Sequence, residues 1–109
     1  MDVFELARLA EQRWQAGRAY LEFLRVPALS AGLYFLPAGG VDRQRPHRED
    51  EVYYVVGGRG VLRVGAEERP VEPGTLAFVA AGAEHHFHSV TEDLTLLVLF
   101  APAESAPAG

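Results

Sequence analysis

Four histidines, fifteen carboxylates, ten arginines and four tyrosines carry nearly all the chemistry open to this 109-residue chain. They concentrate in two places, Arg45-Pro46-His47-Arg48-Glu49-Asp50-Glu51 and Glu84-His85-His86-Phe87-His88. Imidazoles and carboxylates are ligands for divalent metals, and three protein ligands leave coordination positions open for water or a substrate. Spacing sets a condition on this chemistry. Along a straight strand His47 and Glu51 would stand about 13 Å apart, so they can converge only if Arg48-Glu49-Asp50 turns the chain back on itself. From Glu51 the run to Val56 has strand character, with Glu51, Tyr53 and Val55 on one face, and a carboxylate on such an apolar face needs a partner. In the second cluster, alternation puts His85 and Phe87 on one face and His86 and His88 on the other. His85, directly after the Ala81-Gly82-Ala83-Glu84 turn, is expected to point inward. His86 and His88 then face outward or toward a neighbouring subunit, as a solvated or hydrogen-bonded pair, although a His-x-His pair can itself bind metal.

Composition narrows the alternatives. The chain contains no Cys, Lys, Asn or Ile, and all ten of its basic residues are Arg. Thiol nucleophiles, disulfides, iron–sulfur clusters, Schiff bases and P-loops are therefore excluded. The formal net charge is −5, and Arg43, Arg45 and Arg48 lie beside Glu49, Asp50 and Glu51, so no basic face for nucleic acid is expected. The start, Met1-Asp2-Val3-Phe4-Glu5, is acidic where a secretory signal would be basic. The longest nearly apolar run, 94–102, is far short of the roughly 20 residues that cross a bilayer. These features point to a soluble cytoplasmic protein with no membrane partner.

The elements that must position the clusters are mostly strands. Residues 1–19 read as a helix, with Asp2 as N-cap, Glu5 at N3, an apolar series Phe4, Ala7, Ala10 and Trp14, and Gly17 as terminator. It is expected to pack on a barrel or at a dimer contact. From Tyr20 onward short β-like runs follow at 20–26, 29–36, 51–56, 60–64, 69–71, 76–79, 85–90 and 94–100, punctuated by Gly and Pro, which indicates an all-β sandwich or barrel over 20–101. Residues 102–109 lack bulk and read as a mobile tail. The 94–100 run is apolar on both faces, so a further layer or a second subunit must cover its outside, and a homodimer is the expectation.

Two stretches resemble the motifs of the cupin superfamily, in its small single-domain form. The first family motif, Gly, five residues, His-x-His, three or four residues, Glu, six residues, Gly, reads here as Gly39, Arg45-Pro46-His47, Glu51 and Gly58. The second, Gly, five residues, Pro-x-Gly, two residues, His, three residues, Asn, reads as Gly74, Ala80-Ala81-Gly82, His85 and Ser89. The resemblance covers about two-thirds of the chain, residues 29–100. It implies a cupin-type double-stranded β-helix, or jelly-roll, barrel and a metal set of His47, Glu51 and His85. Arg45 stands where the family has its first His, and guanidinium has no lone pair for a metal. It either holds a ligand carboxylate or phosphate, or faces solvent and pairs with Glu49 or Asp50. Tyr53 is the phenol expected beside the site. The implied cofactor is one divalent ion, Fe, Mn, Zn or Ni, and the implied partner a small molecule. The function expected is that of a metal-binding cupin acting as an oxygenase or isomerase; the alternative is a non-catalytic binding or regulatory module whose His–Glu–His cluster is only hydrogen-bonded.

Overall fold

Two strands longer than any the sequence predicts organise the molecule. The computed structural model describes residues 1–105, so 106–109 of the expected tail lie outside the described residues. Its elements are α1 (Leu6–Ala16), β1 (Tyr20–Val26), β2 (Leu29–Leu36), β3 (Asp50–Val64), β4 (Glu67–Val71), β5 (Leu76–Val79) and β6 (His85–Ala101). The runs expected at 51–56 and 60–64 are one strand, β3, and those at 85–90 and 94–100 are another, β6. Gly57-Gly58 does not break β3. The β3–β6 ladder runs from Asp50 paired with Ala101 to Val64 paired with His85, and shifts register between Val55 and Val61. Such irregularities bend paired strands without ending them.

The strands join antiparallel in the order β1-β2-β6-β3-β4, and β5 pairs the first part of β3 on the same edge as β4, opposite β6. Because β3 and β6 bend together, their two halves face each other, and the sheet closes into a jelly-roll barrel. The enclosed core contains Leu36, Tyr53, Val55, Leu62, Val71, Val79, Phe87, Val90, Leu94, Leu96, Val98 and Phe100. In β6 every second residue from Leu94 to Phe100 is buried, as period-two alternation requires, while Thr95, Leu97 and Leu99 are only half-buried on the outer face.

The helix departs from the expectation. Glu5, extended at φ −102° and ψ 122°, is the N-cap, not Asp2. The helix lies on β1 and β2 by Leu9, its only buried residue, while Phe4 and Trp14 are exposed. Arg13 completes the contact, its guanidinium 4.3 Å from the Phe35 ring centroid. The apolar series misleads about the packed face because the helix meets the sheet along only one narrow line. Gly17 does end it, at φ 66°, with its N–H donated to the Trp14 carbonyl.

Ser89 has φ 50°, in the left-handed region where Asn is tolerated better than other side chains. Ser89→Asn is therefore expected to stabilise the fold by about 0.5 kcal/mol. Thermal denaturation checks this, and a lower melting temperature would contradict it.

Candidate metal centre

The site forms where the far ends of the two bent strands meet. Glu51 begins one half of the barrel and His85 the other, yet His85 Nε2 lies 3.0 Å from Glu51 Oε1, with both side chains 1% exposed. His47 joins them from the loop before β3. Gly82 donates its N–H to the His47 carbonyl at 2.7 Å, fixing that loop to the turn ahead of β6. The His47 ring sits against Phe100 and His85, with centroids at 4.9 and 5.4 Å. The chain bends at Arg48 and Glu49 and enters β3 at Asp50, and one ligand atom each from His47, Glu51 and His85 falls within 4.8 Å of the others.

The hydrogen bonding of this trio is incomplete in an informative way. His85 Nδ1 lies 2.9 Å from the Ala83 carbonyl, which can only accept, so Nδ1 carries the proton. In a neutral imidazole Nε2 is then a bare lone pair, and it faces a carboxylate oxygen. Both Glu51 oxygens and His85 Nε2 are buried without a hydrogen-bond partner. Two acceptors at 3.0 Å are reconciled by a proton or by a metal ion between them. Burial disfavours the charged imidazole, but Glu51 and the Ala83 carbonyl outweigh it, and the His85 pKa is raised above the ordinary value. The donor set, two imidazoles and a carboxylate in a dry barrel end, fits a divalent metal.

Around the trio lie residues that no sequence signal singles out. Asp42 is buried and organises the loop after β2: it accepts from the Tyr34 hydroxyl at 2.9 Å, from the Gln44 side chain at 2.9 Å and from the Phe87 N–H at 2.8 Å. Gln44 accepts the Tyr53 hydroxyl at 2.9 Å and approaches His47 Nε2 at 3.4 Å. Glu104 reaches the other ring nitrogen, His47 Nδ1, at 3.3 Å. Of the expected tail, residues 102–105 lie against the body: Ala103 and Glu104 donate their N–H groups to the Pro27 carbonyl and Ser30 Oγ, and Ser105 Oγ donates to buried Glu49 at 3.1 Å. Burial and the nearby Glu49 and Glu51 raise the Glu104 pKa. Glu51 and Glu104 thus lie beside the two imidazoles, an environment that favours a cation.

Tyr53 lies where the sequence places it, 1% exposed and with its ring centroid 6.1 Å from that of His85. Burial, and then the Glu51 carboxylate, hold its phenol well above the ordinary range. A second phenol, Tyr20, folds over Gly32, where an added Cβ would run into its ring. Its hydroxyl is buried without a partner, and burial, then Glu104, Glu22 and Glu51, raise its pKa. Arg45 is exposed on the loop. His86 is exposed; His88, half-buried on the outer face, meets Glu68 at 2.8 Å.

Comparison with known proteins adds a family frame. Residues 32–101 match the family described as Cupin domain. An uncharacterized protein of Streptomyces coelicolor is 48% identical over 105 residues, covering 96% of this chain and 100% of that one. The crystal structure of TT1209 from Thermus thermophilus is 32% identical, covers 94% of this chain and 99% of its own, and superposes with a TM-score of 0.76. KdgF from a Halomonas species, at 24% identity over 76% of each chain and a TM-score of 0.70, shares the fold.

Proposed function

The chain belongs to the cupin family, and from that premise we propose that it binds one divalent metal ion through His47, Glu51 and His85 and presents it to a small-molecule ligand. One observation carries this reading: Glu51, with both oxygens buried and unpartnered, faces the bare nitrogen of His85. A bound ion at such a site supplies Lewis-acid or redox chemistry, with Glu51 remaining a ligand. Glu104 holds the His47 ring by its outer nitrogen, in the way carboxylates orient metal-binding histidines. The unpartnered Tyr20 hydroxyl is suited to meet a ligand oxygen. The exposure of Arg45 on the loop supports a role in meeting a ligand anion that arrives from solvent.

The test is elemental analysis of protein purified without a His tag, followed by titration of the chelator-treated protein with Mn(II), Fe(II), Zn(II) and Ni(II). About one equivalent per chain is expected, lost in His85→Ala. A wild-type protein that carries no metal and takes up none of these ions overturns the proposal.

The outer face of the sheet bears on assembly. Tyr54, Leu76 and Phe78 are exposed at 39%, 68% and 64%, next to half-buried Leu97 and Leu99. The Tyr54–Leu76 and Val52–Phe78 pairs of β3 and β5 make this face continuous with β6. We infer that a second copy covers it. Sedimentation should give a dimer for the wild type and a monomer for Phe78→Arg. A monomeric wild type at tens of micromolar would end this reading.

A further inference from the structure

The family resemblance assigns the first metal ligand to position 45, and that side chain is exposed here. The one before it is not. Gln44 is half-buried, and its side chain enters the site between Tyr53 and His47. We infer that Gln44 supplies a fourth protein ligand to the metal through its carboxamide oxygen, in place of the missing histidine. This rests on the reading of His47, Glu51 and His85 as a metal set.

Three features support it. First, the orientation of the amide is determined chemically. Asp42 Oδ2 lies 2.9 Å from the amide nitrogen, and a carboxylate that only accepts requires the NH2 group there. The oxygen therefore points into the site. Second, that oxygen has two lone pairs, one of which accepts the Tyr53 hydroxyl at 2.9 Å. Its remaining direction faces His47 Nε2 at 3.4 Å. Third, Glu104 lies 3.3 Å from His47 Nδ1, and in the tautomer whose Nδ1–H points to that carboxylate, Nε2 turns a lone pair towards the amide oxygen. In that tautomer two acceptors face each other, as His85 and Glu51 do at 3.0 Å. Neighbouring ligand atoms on an ion with bonds of about 2.1 Å stand about 3 Å apart when at right angles. Both contacts lie near that spacing, and one cation would relieve both.

The resulting donor set is two nitrogens and two oxygens, harder than the three nitrogens and one oxygen of the family pattern. Replacing the missing imidazole with an amide oxygen weakens the hold on Ni(II) more than that on Mn(II). This chain is thereby placed towards the oxygen-preferring divalent ions.

The experiment is a competition titration of chelator-treated protein with Mn(II) and Ni(II), across wild type, Gln44→Ala, Gln44→His and His85→Ala. Gln44→Ala is expected to weaken Mn(II) on the order of tenfold to a hundredfold. Gln44→His should raise the ratio of Ni(II) to Mn(II) affinity about tenfold, and it keeps the test open if the Ala variant folds poorly. Copper(II) electron paramagnetic resonance should then show three coupled nitrogens where the wild type shows two. If wild type binds metal, His85→Ala loses it, and neither Gln44 variant moves an affinity or the nitrogen count, Gln44 is not a ligand and the metal site stands. If wild type binds no metal, both readings fall together.

Discussion

Glu51→Gln is expected to make the metal-free protein more stable while lowering its metal affinity at least about a hundredfold. The two effects have opposite signs for a single reason. Glu51 is a buried carboxylate with neither oxygen hydrogen-bonded, facing the bare nitrogen of His85. The carboxamide keeps the shape, removes the charge and turns an N–H towards His85 Nε2, satisfying in one step what the carboxylate leaves open. Relief of an unsatisfied buried polar group is worth about 1–3 kcal/mol. The same exchange takes from a metal its only anionic donor in the trio. Melting curves at pH 8 with a chelator, and then with Mn(II), read both effects. A variant that melts lower than wild type in chelator, or that keeps the metal-induced shift, would contradict the site as described.

The pH dependence follows from the raised pKa of His85. Its protonated form pairs with Glu51, so this contact stabilises the metal-free fold fully below the unfolded-state value of about 6.5. The contribution disappears as pH rises through the higher folded-state value. Metal must displace that proton, so affinity falls as pH is lowered through the same range. In Glu51→Gln the advantage over wild type should therefore shrink on acidification.

Gly58→Ala is expected to cost about 3 kcal/mol, whereas Gly57→Ala, one residue earlier, costs little. Gly58 has φ 91°, a conformation L side chains rarely adopt, and an added Cβ would collide with the Asp93 carbonyl and the Leu94 Cα. All of these are backbone atoms of the paired strand, so no flexible group can yield. Gly57 has no positive φ, and an added Cβ there meets nothing within 4 Å. A loss of this size should lower the melting temperature by roughly 12–20 °C. Similar melting temperatures for the two alanine variants would mean that the bend tolerates a side chain.

The trio is legible in the sequence because strand periodicity places Glu51 and His85 inward, and motif spacing brings His47 to them. Tyr53 follows from the same alternation. Asp42, Gln44 and Glu104 are not legible, and the reason is physical. Residues 42 and 44 lie in an irregular loop, where no period says which side chain turns in, so the motif draws attention to Arg45 and away from its neighbour. Glu104 follows β6 in a segment with little bulk, and its place depends on bonds to Ser30 and Pro27, more than seventy residues earlier. The long strands look short in the sequence because Gly57-Gly58 signals a stop as readily as a bend. Helix α1 hides its packed face because its contact is a single buried leucine and an arginine guanidinium laid on Phe35.

The bend shared by β3 and β6 gives the barrel the mechanics of tweezers. Gly58 sits at the fold of the two arms, and Glu51 and His85 sit at the tips. An ion held between the tips would clamp the two halves together, so loading and release need a local parting of that end. Amide exchange should then show protection gained on metal binding at residues near 51 and 85, while amides around the bend, locked by the close backbone packing there, exchange slowly with or without the ion.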